Sequence, residues 1–197
     1  MSLYLDPDCD RMKDGPLFDM PQDIAATCPG QTMHAAAVVI GPYGILLRGE
    51  SGSGKSLLQR SLRRQAEALS IASALVSDDY VMLVRMPKVE SSGQSDAGED
   101  IEPPELRAYG PVATRGLQEV RGLGIVAVGD KNHVAHAAMH LLVDLCDPDA
   151  IDRMPSRQDR EQTCLGYPIA HLSVPKRSVV EACDVIFTLL STWKGPL

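Results

Sequence analysis

The chain has 197 residues, which is long enough for one sizeable hydrophobic core. Hydrophobic residues make up 44% of it and aromatic residues only 4%, so we expect a globular domain with an aliphatic core. The formal net charge of -7 argues against nucleic acid as a partner, because a phosphate backbone is bound by a basic face. The sequence has no apolar run of membrane-spanning length, and we expect no membrane partner. Five scattered cysteines without a C-x-x-C pair indicate reduced thiols and a cytoplasmic location.

The amino-terminal part differs in composition from the rest of the chain. Residues 1–31 contain four prolines among acids and amides and predict an irregular lead-in. We expect a single folded domain over residues 32–197, beginning with a buried strand rich in Val, Ile and Ala at residues 33–40. The turn Gly41-Pro42-Tyr43-Gly44 leads from it into a short apolar strand at residues 45–47, and the two strands predict a β-hairpin.

The next segment is a phosphate-binding loop of the form G-x-x-x-x-G-K-[ST]. It reads Gly49-Glu50-Ser51-Gly52-Ser53-Gly54-Lys55-Ser56. Its glycines allow successive N–H groups to converge on one anion, and a helix predicted over residues 55–69 adds its positive end. Lys55 can reach the β- and γ-phosphates, and the Ser56 hydroxyl can bind Mg²⁺. The alternative is a glycine-rich turn without function.

Two adjacent carboxylates follow the next predicted strand, at residues 71–76. Asp78 and Asp79 lie between this strand and another at residues 81–84. Carboxylates at the carboxyl end of a strand, downstream of a phosphate-binding loop, are suited to a nucleotide metal ion and a catalytic base. The alternative is that the pair is only a polar turn.

The second half of the chain contains one further stretch of chemical interest. Residues 87–104 are rich in Ser, Gly, Asp, Glu and Pro and predict an acidic, solvated loop insert. Residues 116–126 then combine three glycines with Glu119 and Arg121, ahead of a strand predicted at residues 125–128. Glu119 could bind a metal ion and Arg121 a phosphate, while the alternative is a structural loop with a local ion pair.

The remaining features are structural predictions. Three histidines, His133, His136 and His140, have helical spacing, but the strand-like sequence after Met139 argues against a shared metal site. A charged loop is predicted over residues 147–161 and a strand over residues 169–174. Pro175 is the predicted first residue of a final helix. The apolar face predicted for that helix consists of Val179, Val180, Cys183, Ile186 and Leu190.

The order of these features is more specific than any one of them. A histidine at the start of a strand precedes a hairpin, G-E-S-G-S-G-K-S, a strand ending in Asp-Asp, and then E-V-R-G-L-G-I. This order resembles the HPr kinase/phosphorylase family, and more closely its short alphaproteobacterial form, which lacks the amino-terminal domain of the longer enzymes. The likeness covers residues 33–152, and E-V-R-G-L-G-I is the family's own signature. The resemblance implies an α/β P-loop kinase core related to phosphoenolpyruvate carboxykinase, with a mixed central sheet and flanking helices.

The resemblance also implies an activity. ATP, with Mg²⁺, would phosphorylate a serine of an HPr-like phosphocarrier of the phosphotransferase system. In the reverse direction inorganic phosphate would attack the phosphoserine and give pyrophosphate. The longer enzymes form hexamers, so a homo-oligomer is left open as an expectation.

Four residues acquire catalytic roles by this resemblance. Asp78 would be the general base for the seryl hydroxyl and the acid in phosphorolysis, and Lys55 would hold the β-phosphate. His34 would lie behind the Asp pair and tune its protonation, and Arg121 would belong to the signature loop. The pair Asp152-Arg153 resembles a charged pair downstream in the family.

The resemblance also implies a metal site and leaves alternatives. Ser56 and Glu119 would place Mg²⁺, with Asp79 assisting. The longer enzymes carry a basic Gly-Arg-Asn loop and a longer helical tail where this sequence has only Pro175-Lys176-Arg177 and one predicted helix, so phosphorolysis and partner docking are left open. Two other functions remain: a small-molecule P-loop kinase, and a regulatory module that binds ATP without transferring phosphate.

Overall fold

A computed structural model describes residues 18–28, 30–87 and 105–193. Most of the predicted lead-in and almost all of the predicted acidic insert lie outside these residues. The described chain forms three α-helices and eleven strands. The helices are α1 (Gln22–Thr27), α2 (Lys55–Ala68) and α3 (Val179–Thr192). The strands are β1 (Gly30–Ile40), β2 (Tyr43–Arg48), β3 (Ser73–Ser77), β4 (Tyr80–Arg85), β5 (Leu106–Tyr109), β6 (Leu117–Val120), β7 (Gly124–Ala127), β8 (His136–Ala138), β9 (Leu141–Cys146), β10 (Glu161–Cys164) and β11 (Tyr167–Pro175).

Nine of the strands form one mixed sheet in the order β10-β11-β9-β2-β1-β4-β5-β8, with β3 also paired to β1. The three strands β2, β9 and β11 run parallel, and the other pairings of this sheet are antiparallel. Strands β6 and β7 form a separate hairpin. The prediction of an α/β fold with a mixed central sheet and flanking helices is confirmed.

Side chains of the sheet alternate between two hydrophobic layers, as expected for strands buried on both faces. Ala36 and Val38 of β1 face the layer that contains α2 and α3, which contribute Leu58, Leu62 and Ile186. Ala35 and Ala37 face the other layer, formed by residues of the sheet and its connections. Small alanines in the central strand allow helix α2 to pack closely on the sheet, and this packing fixes the position of the loop that precedes it.

Strands β3 and β4 lie along the same edge of β1. Ser77 of β3 pairs with Ala37, and Tyr80 of β4 pairs with His34, so the two strands form one extended run interrupted at Asp78 and Asp79. The Ser77 hydroxyl donates a hydrogen bond to the Tyr80 carbonyl across the interruption. The Asp pair is therefore neither a free loop nor a reversing turn, since its position is fixed from both sides by the sheet.

Several local predictions need correction. The irregular lead-in contains helix α1, and strand β1 begins at Gly30. The predicted strand at residues 71–76 begins only at Ser73, because the chain leaves α2 through Ser70 in the left-handed region. Pro175 ends strand β11 and does not begin the final helix, which starts at Val179 after the N-cap Ser178. Val180 is 86% exposed and does not belong to that helix's apolar face.

Residues 117–127 form a hairpin, and its second strand, β7, lies one residue before the strand predicted at residues 125–128. Gln118 pairs with Val126 and Glu119 with Ile125, while Arg121 lies in the turn. A second hairpin, β10–β11, was not predicted, because the sequence before residue 161 is charged and β10 is short. Within the described residues, no helix has both the length and the apolar character needed to cross a membrane.

Candidate phosphotransfer site

The phosphate-binding loop connects β2 to α2. Gly52 and Gly54 have φ values of 77° and 106°, a region that other residues rarely adopt. Gly54 is the N-cap of α2, and no side chain among the described residues caps this helix. The N–H groups of the first turn are therefore available to an anion, with the positive end of the helix dipole behind them.

Lys55 lies in the loop with its ammonium group turned back on the backbone. Its side chain is buried, and Nζ donates to the carbonyls of Gly49 at 2.8 Å and Glu50 at 3.1 Å. Burial lowers the pKa of Lys55, and the charges of Asp79 and Asp78 act in the opposite direction. The Lys55 ammonium is thus held by the loop backbone and is within electrostatic range of the Asp pair.

Asp78 is the most perturbed carboxyl group of the site. Burial raises its pKa above that of an ordinary aspartate, and the charges of Asp79 and Glu119 add to this increase. The backbone N–H of Glu119, which donates to Asp78 Oδ2 at 2.9 Å, and the hydroxyl of Ser56 lower it in part. The other oxygen, Oδ1, is buried and has no hydrogen-bond partner in the described part of the chain. A carboxyl group with one unpartnered oxygen and a raised pKa is well suited to accept a proton from a substrate.

Asp79 has a different hydrogen-bond partner from Asp78. Its Oδ1 lies 2.7 Å from Nε2 of His34, and the His34 ring packs against Tyr80 with centroids 5.1 Å apart. His34 therefore contacts Asp79, whereas Asp78 is contacted by the Glu119 backbone N–H of β6. The two carboxylates have different surroundings, since Asp79 is exposed and Asp78 is half-buried.

The hairpin β6–β7, which carries the signature sequence, contributes Glu119 to the site more directly than Arg121. The Glu119 backbone is bonded to Asp78 and its side chain is exposed at the same place. Arg121 is exposed in the turn, and within residues 18–28, 30–87 and 105–193 its side chain has no hydrogen bond or ion pair. The structure thus joins Glu119 to the Asp pair but shows no contact that joins Arg121 to it.

The predicted metal ligands fit Mg²⁺ in their chemistry. Ser56, Asp79 and Glu119 supply oxygen atoms only, and Mg²⁺ in nucleotide sites is held by one or two carboxylates together with phosphates and waters. No closed cluster of three or more His, Cys, Asp or Glu side chains is found among the described residues. Asp78 lies beside Ser56, and its enclosed Oδ1 has no hydrogen-bond partner among the described residues. The three histidines considered above as metal ligands have other contacts: His133 Nδ1 lies 3.2 Å from the Gly129 carbonyl, His136 contacts Arg107, and His140 Nδ1 accepts from Gly44 N–H.

Gln118 is a site residue that the sequence analysis missed. It is 3% exposed, and its amide nitrogen donates to the Ser56 carbonyl at 3.2 Å and to the side chain of Gln59. Its amide oxygen accepts from Arg63 Nη2 at 2.6 Å. Gln118 thus ties the hairpin to the first turns of α2, and a polar residue in the middle of a short strand is the only sequence signal for it.

Two further groups support the phosphate-binding loop from outside. Arg177 donates its backbone N–H to the Ser53 carbonyl at 2.9 Å and its Nε to the Gly52 carbonyl at 3.2 Å. Arg48, directly before the loop, forms a double hydrogen bond to Asp144 with both distances 2.6 Å. His171 Nε2 lies 3.0 Å from the same carboxylate. These contacts join residues from β2, β9 and β11, so sequence spacing alone could not reveal them.

Known proteins with similar sequences identify the family of this chain. The HPr kinase/phosphorylase of Bordetella pertussis (strain Tohama I) is 30% identical over 148 residues, which cover 72% of this chain and 41% of that protein. The chain belongs to the HPr kinase/phosphorylase family. The HPr kinase/phosphorylase of Clostridium novyi (strain NT) is 29% identical over 160 residues, covering 78% of this chain and 45% of that protein. The chain thus spans less than half the length of these relatives. No family model matches the sequence.

A solved structure supports the fold. The HPr(Ser) kinase/phosphatase from Coxiella burnetii matches with a TM-score of 0.60 at 24% sequence identity, covering 82% of this chain and 88% of that chain. This likeness shows an α/β P-loop kinase fold. The closer likeness to the short form, the relation to phosphoenolpyruvate carboxykinase and the roles of individual residues stay predictions, since these similarities do not test them.

Proposed function

We propose that this chain is an ATP-dependent serine protein kinase that phosphorylates an HPr-like phosphocarrier in the cytoplasm, using Mg²⁺. The observation that carries the proposal is Asp78, whose pKa is raised and whose buried Oδ1 has no partner among the described residues. It lies beside Ser56 of the phosphate-binding loop, where a proton acceptor for a seryl hydroxyl is required.

Each residue of the site then has a defined task. Asp78 takes the proton of the seryl hydroxyl. At the same time the seryl oxygen forms a bond to the γ-phosphorus, and the bond from that phosphorus to the ADP oxygen breaks. Lys55 and the N–H groups of the first turn of α2 neutralise and align the phosphates. Ser56, Asp79 and Glu119 would hold the Mg²⁺, which when bound neutralises the charge of the phosphate oxygens. His34, hydrogen-bonded to Asp79, would orient that carboxylate, and Arg121 remains a predicted phosphate ligand.

We include phosphorolysis in the proposal as the reverse reaction. Inorganic phosphate would attack the phosphoserine, and Asp78 would return its proton to the departing seryl oxygen, giving pyrophosphate. A raised pKa supports both directions, because the carboxyl group must be able to gain and lose the proton near the working pH.

The test is the Asp78→Asn variant, assayed with labelled ATP, Mg²⁺ and an HPr-type protein. We expect nucleotide affinity to be retained and transfer to serine to fall by about 100- to 10,000-fold, the usual contribution of a general base. Asp184→Asn on the exposed surface of α3 removes the same charge elsewhere and should transfer normally. Full-rate transfer by Asp78→Asn would show the base assignment to be wrong, and tight ATP binding without transfer by the wild type would favour the sensor function.

The pH dependence adds a second readout. Because Asp78 must be ionised to accept a proton, its raised pKa predicts that the rate declines on the acidic side at a higher pH than for an ordinary aspartate. The folded state binds this proton more tightly than the unfolded state, so the ionised group costs stability once the pH has risen through the folded pKa. The Asp78→Asn variant should therefore melt at the same or a higher temperature at neutral pH, which separates loss of chemistry from loss of folding.

A further inference from the structure

A basic cavity lies at the other end of helix α2 from the phosphate-binding loop. It has a volume of about 670 Å³ and is bounded by α2 from Arg60 to Glu67, the start of β3 and the segment after β7. Four cationic side chains line this cavity, which we call the arginine groove: Arg60, Arg63, Arg64 and Lys131. Glu67 is the one acid among its described lining residues. This concentration of positive charge stands out in a chain whose net charge is -7.

The cations of the groove crowd one another. Burial lowers the pKa of Arg63, and the neighbouring charges of Arg60 and Arg64 lower it further against the opposing effect of Asp78. Arg63 donates Nη2 to Gln118, but its buried Nε has no acceptor in the described residues. In the same part of the chain, no carboxylate lies within 4.0 Å of a cationic nitrogen of these four side chains. A group of like charges around a cavity is stabilised by an anion.

We propose that the arginine groove binds a small polyanion, with phosphate groups the best match. Guanidinium groups present pairs of N–H donors that fit the oxygens of phosphate, and several such groups converge here on one concavity. The size of the cavity is that of a small-molecule site. The negative charge of the whole chain disfavours a long polyanion such as RNA, whose binding requires an extended basic face.

The groove is separate from the proposed phosphotransfer site. It is lined by α2 from Arg60 onward, and Gln118 contacts both regions. The proposal therefore stands whether or not the chain transfers phosphate, and it is tested by binding alone.

The experiment is calorimetric titration of sodium pyrophosphate, without Mg²⁺, into the full chain carrying Lys55→Ala, which weakens the phosphate-binding loop. The groove is removed in the same background by Arg60→Gln together with Arg64→Gln, two residues on the accessible side of α2, so that the bonded Arg63 stays in place. We expect saturable binding before these changes and at least a tenfold weaker affinity after them. A matched control, Arg157→Gln with Arg160→Gln, removes two exposed charges outside the groove and should keep the affinity.

Each outcome decides the proposal. Absence of saturable heat at millimolar pyrophosphate, or equal weakening by the groove pair and the control pair, overturns it. Citrate titrated in parallel tests the chemistry: tighter binding of citrate than of pyrophosphate overturns the preference for phosphate. A thermal melt of every variant excludes unfolding as the cause, and a loss of affinity without a change in melting temperature supports the assignment.

Discussion

The two ends of helix α2 carry positive charge in different ways. At the amino-terminal end the charge comes from backbone N–H groups, the helix dipole and Lys55, which is buried and bonded to Gly49 and Glu50. At the other end it comes from the arginine side chains of the groove. The first arrangement demands glycines at φ values that few other residues adopt, so it fixes a single geometry. The second demands only charge around a concavity and accommodates anions of varied shape.

We call the amino-terminal end of α2 the loop end and the other end the groove end. The largest expected effect is at the loop end. Lys55→Ala removes the buried cation of the phosphate-binding loop, which would turn from the carbonyls of Gly49 and Glu50 to a bound phosphate, and hydrogen bonds from charged groups contribute about 1.5–3 kcal/mol. We therefore expect nucleotide affinity, measured by titration with an ATP analogue, to fall by roughly 10- to 150-fold. Arg64→Gln, the same loss of one charge at the groove end, should change nucleotide affinity by less than about twofold because surface charges are screened. Equal effects of both changes would show that the two ends are not distinct.

A second prediction concerns the support of the loop end. Arg48→Met removes both hydrogen bonds from the guanidinium to Asp144 and leaves His171 Nε2 as the side-chain partner of that carboxylate among the described residues. Breaking a buried pair costs about 3–5 kcal/mol, and this pair is less enclosed, since its side chains are 37% and 17% exposed, so we expect about 2 kcal/mol. For a chain of this size that corresponds to a melting temperature roughly 4–8 °C lower. Lys176→Met, which breaks the more exposed pair with Asp147, is the control and should cost less than about 1 kcal/mol.

The pH dependence of that loss follows from Asp144. Burial alone would raise its pKa, but the hydrogen bonds and charges of Arg48 and His171 bring the pKa below that of an ordinary aspartate. A carboxyl group with a lowered folded pKa stabilises the protein above its unfolded pKa, and this contribution disappears as the pH falls through the folded pKa. The difference in melting temperature between wild type and Arg48→Met should therefore be largest near neutral pH and shrink below about pH 4. A constant difference from pH 7 to pH 3 would contradict the role assigned to this carboxylate.

The sequence revealed the loop end of α2 far better than the groove end. The loop motif, with its glycines, Lys55 and Ser56, is contiguous in sequence and its geometry is local. Asp78 directly follows a segment whose apolar residues predict a strand, so its position at a strand end could also be predicted. The contacts of Gln118 and Arg48 form only because the fold brings together elements that are distant in sequence. The spacing of residues in the sequence does not predict such contacts. Pro175 was misassigned for the same reason: its fixed φ suits the first turn of a helix as well as the end of a strand, and pairing with Cys146 of β9 decides between them.

The smallest expected effect concerns Gln118, which links the two ends. Gln118→Met keeps the volume of this buried side chain but removes its bonds to Arg63, Gln59 and the Ser56 carbonyl. Leaving buried polar groups unpaired costs about 1–3 kcal/mol, and we expect the lower half of that range because Arg63 can turn towards solvent. Nucleotide affinity should fall only about threefold, since Ser56 and the Glu119–Asp78 contact shift slightly without losing their chemistry. Gln65→Met, on a face of α2 that faces α3, is the matched control and should alter neither melting temperature nor affinity. If Gln118→Met instead abolished nucleotide binding while the protein stayed folded, the loop end would depend on the groove end, and the contrast between them would have to be abandoned.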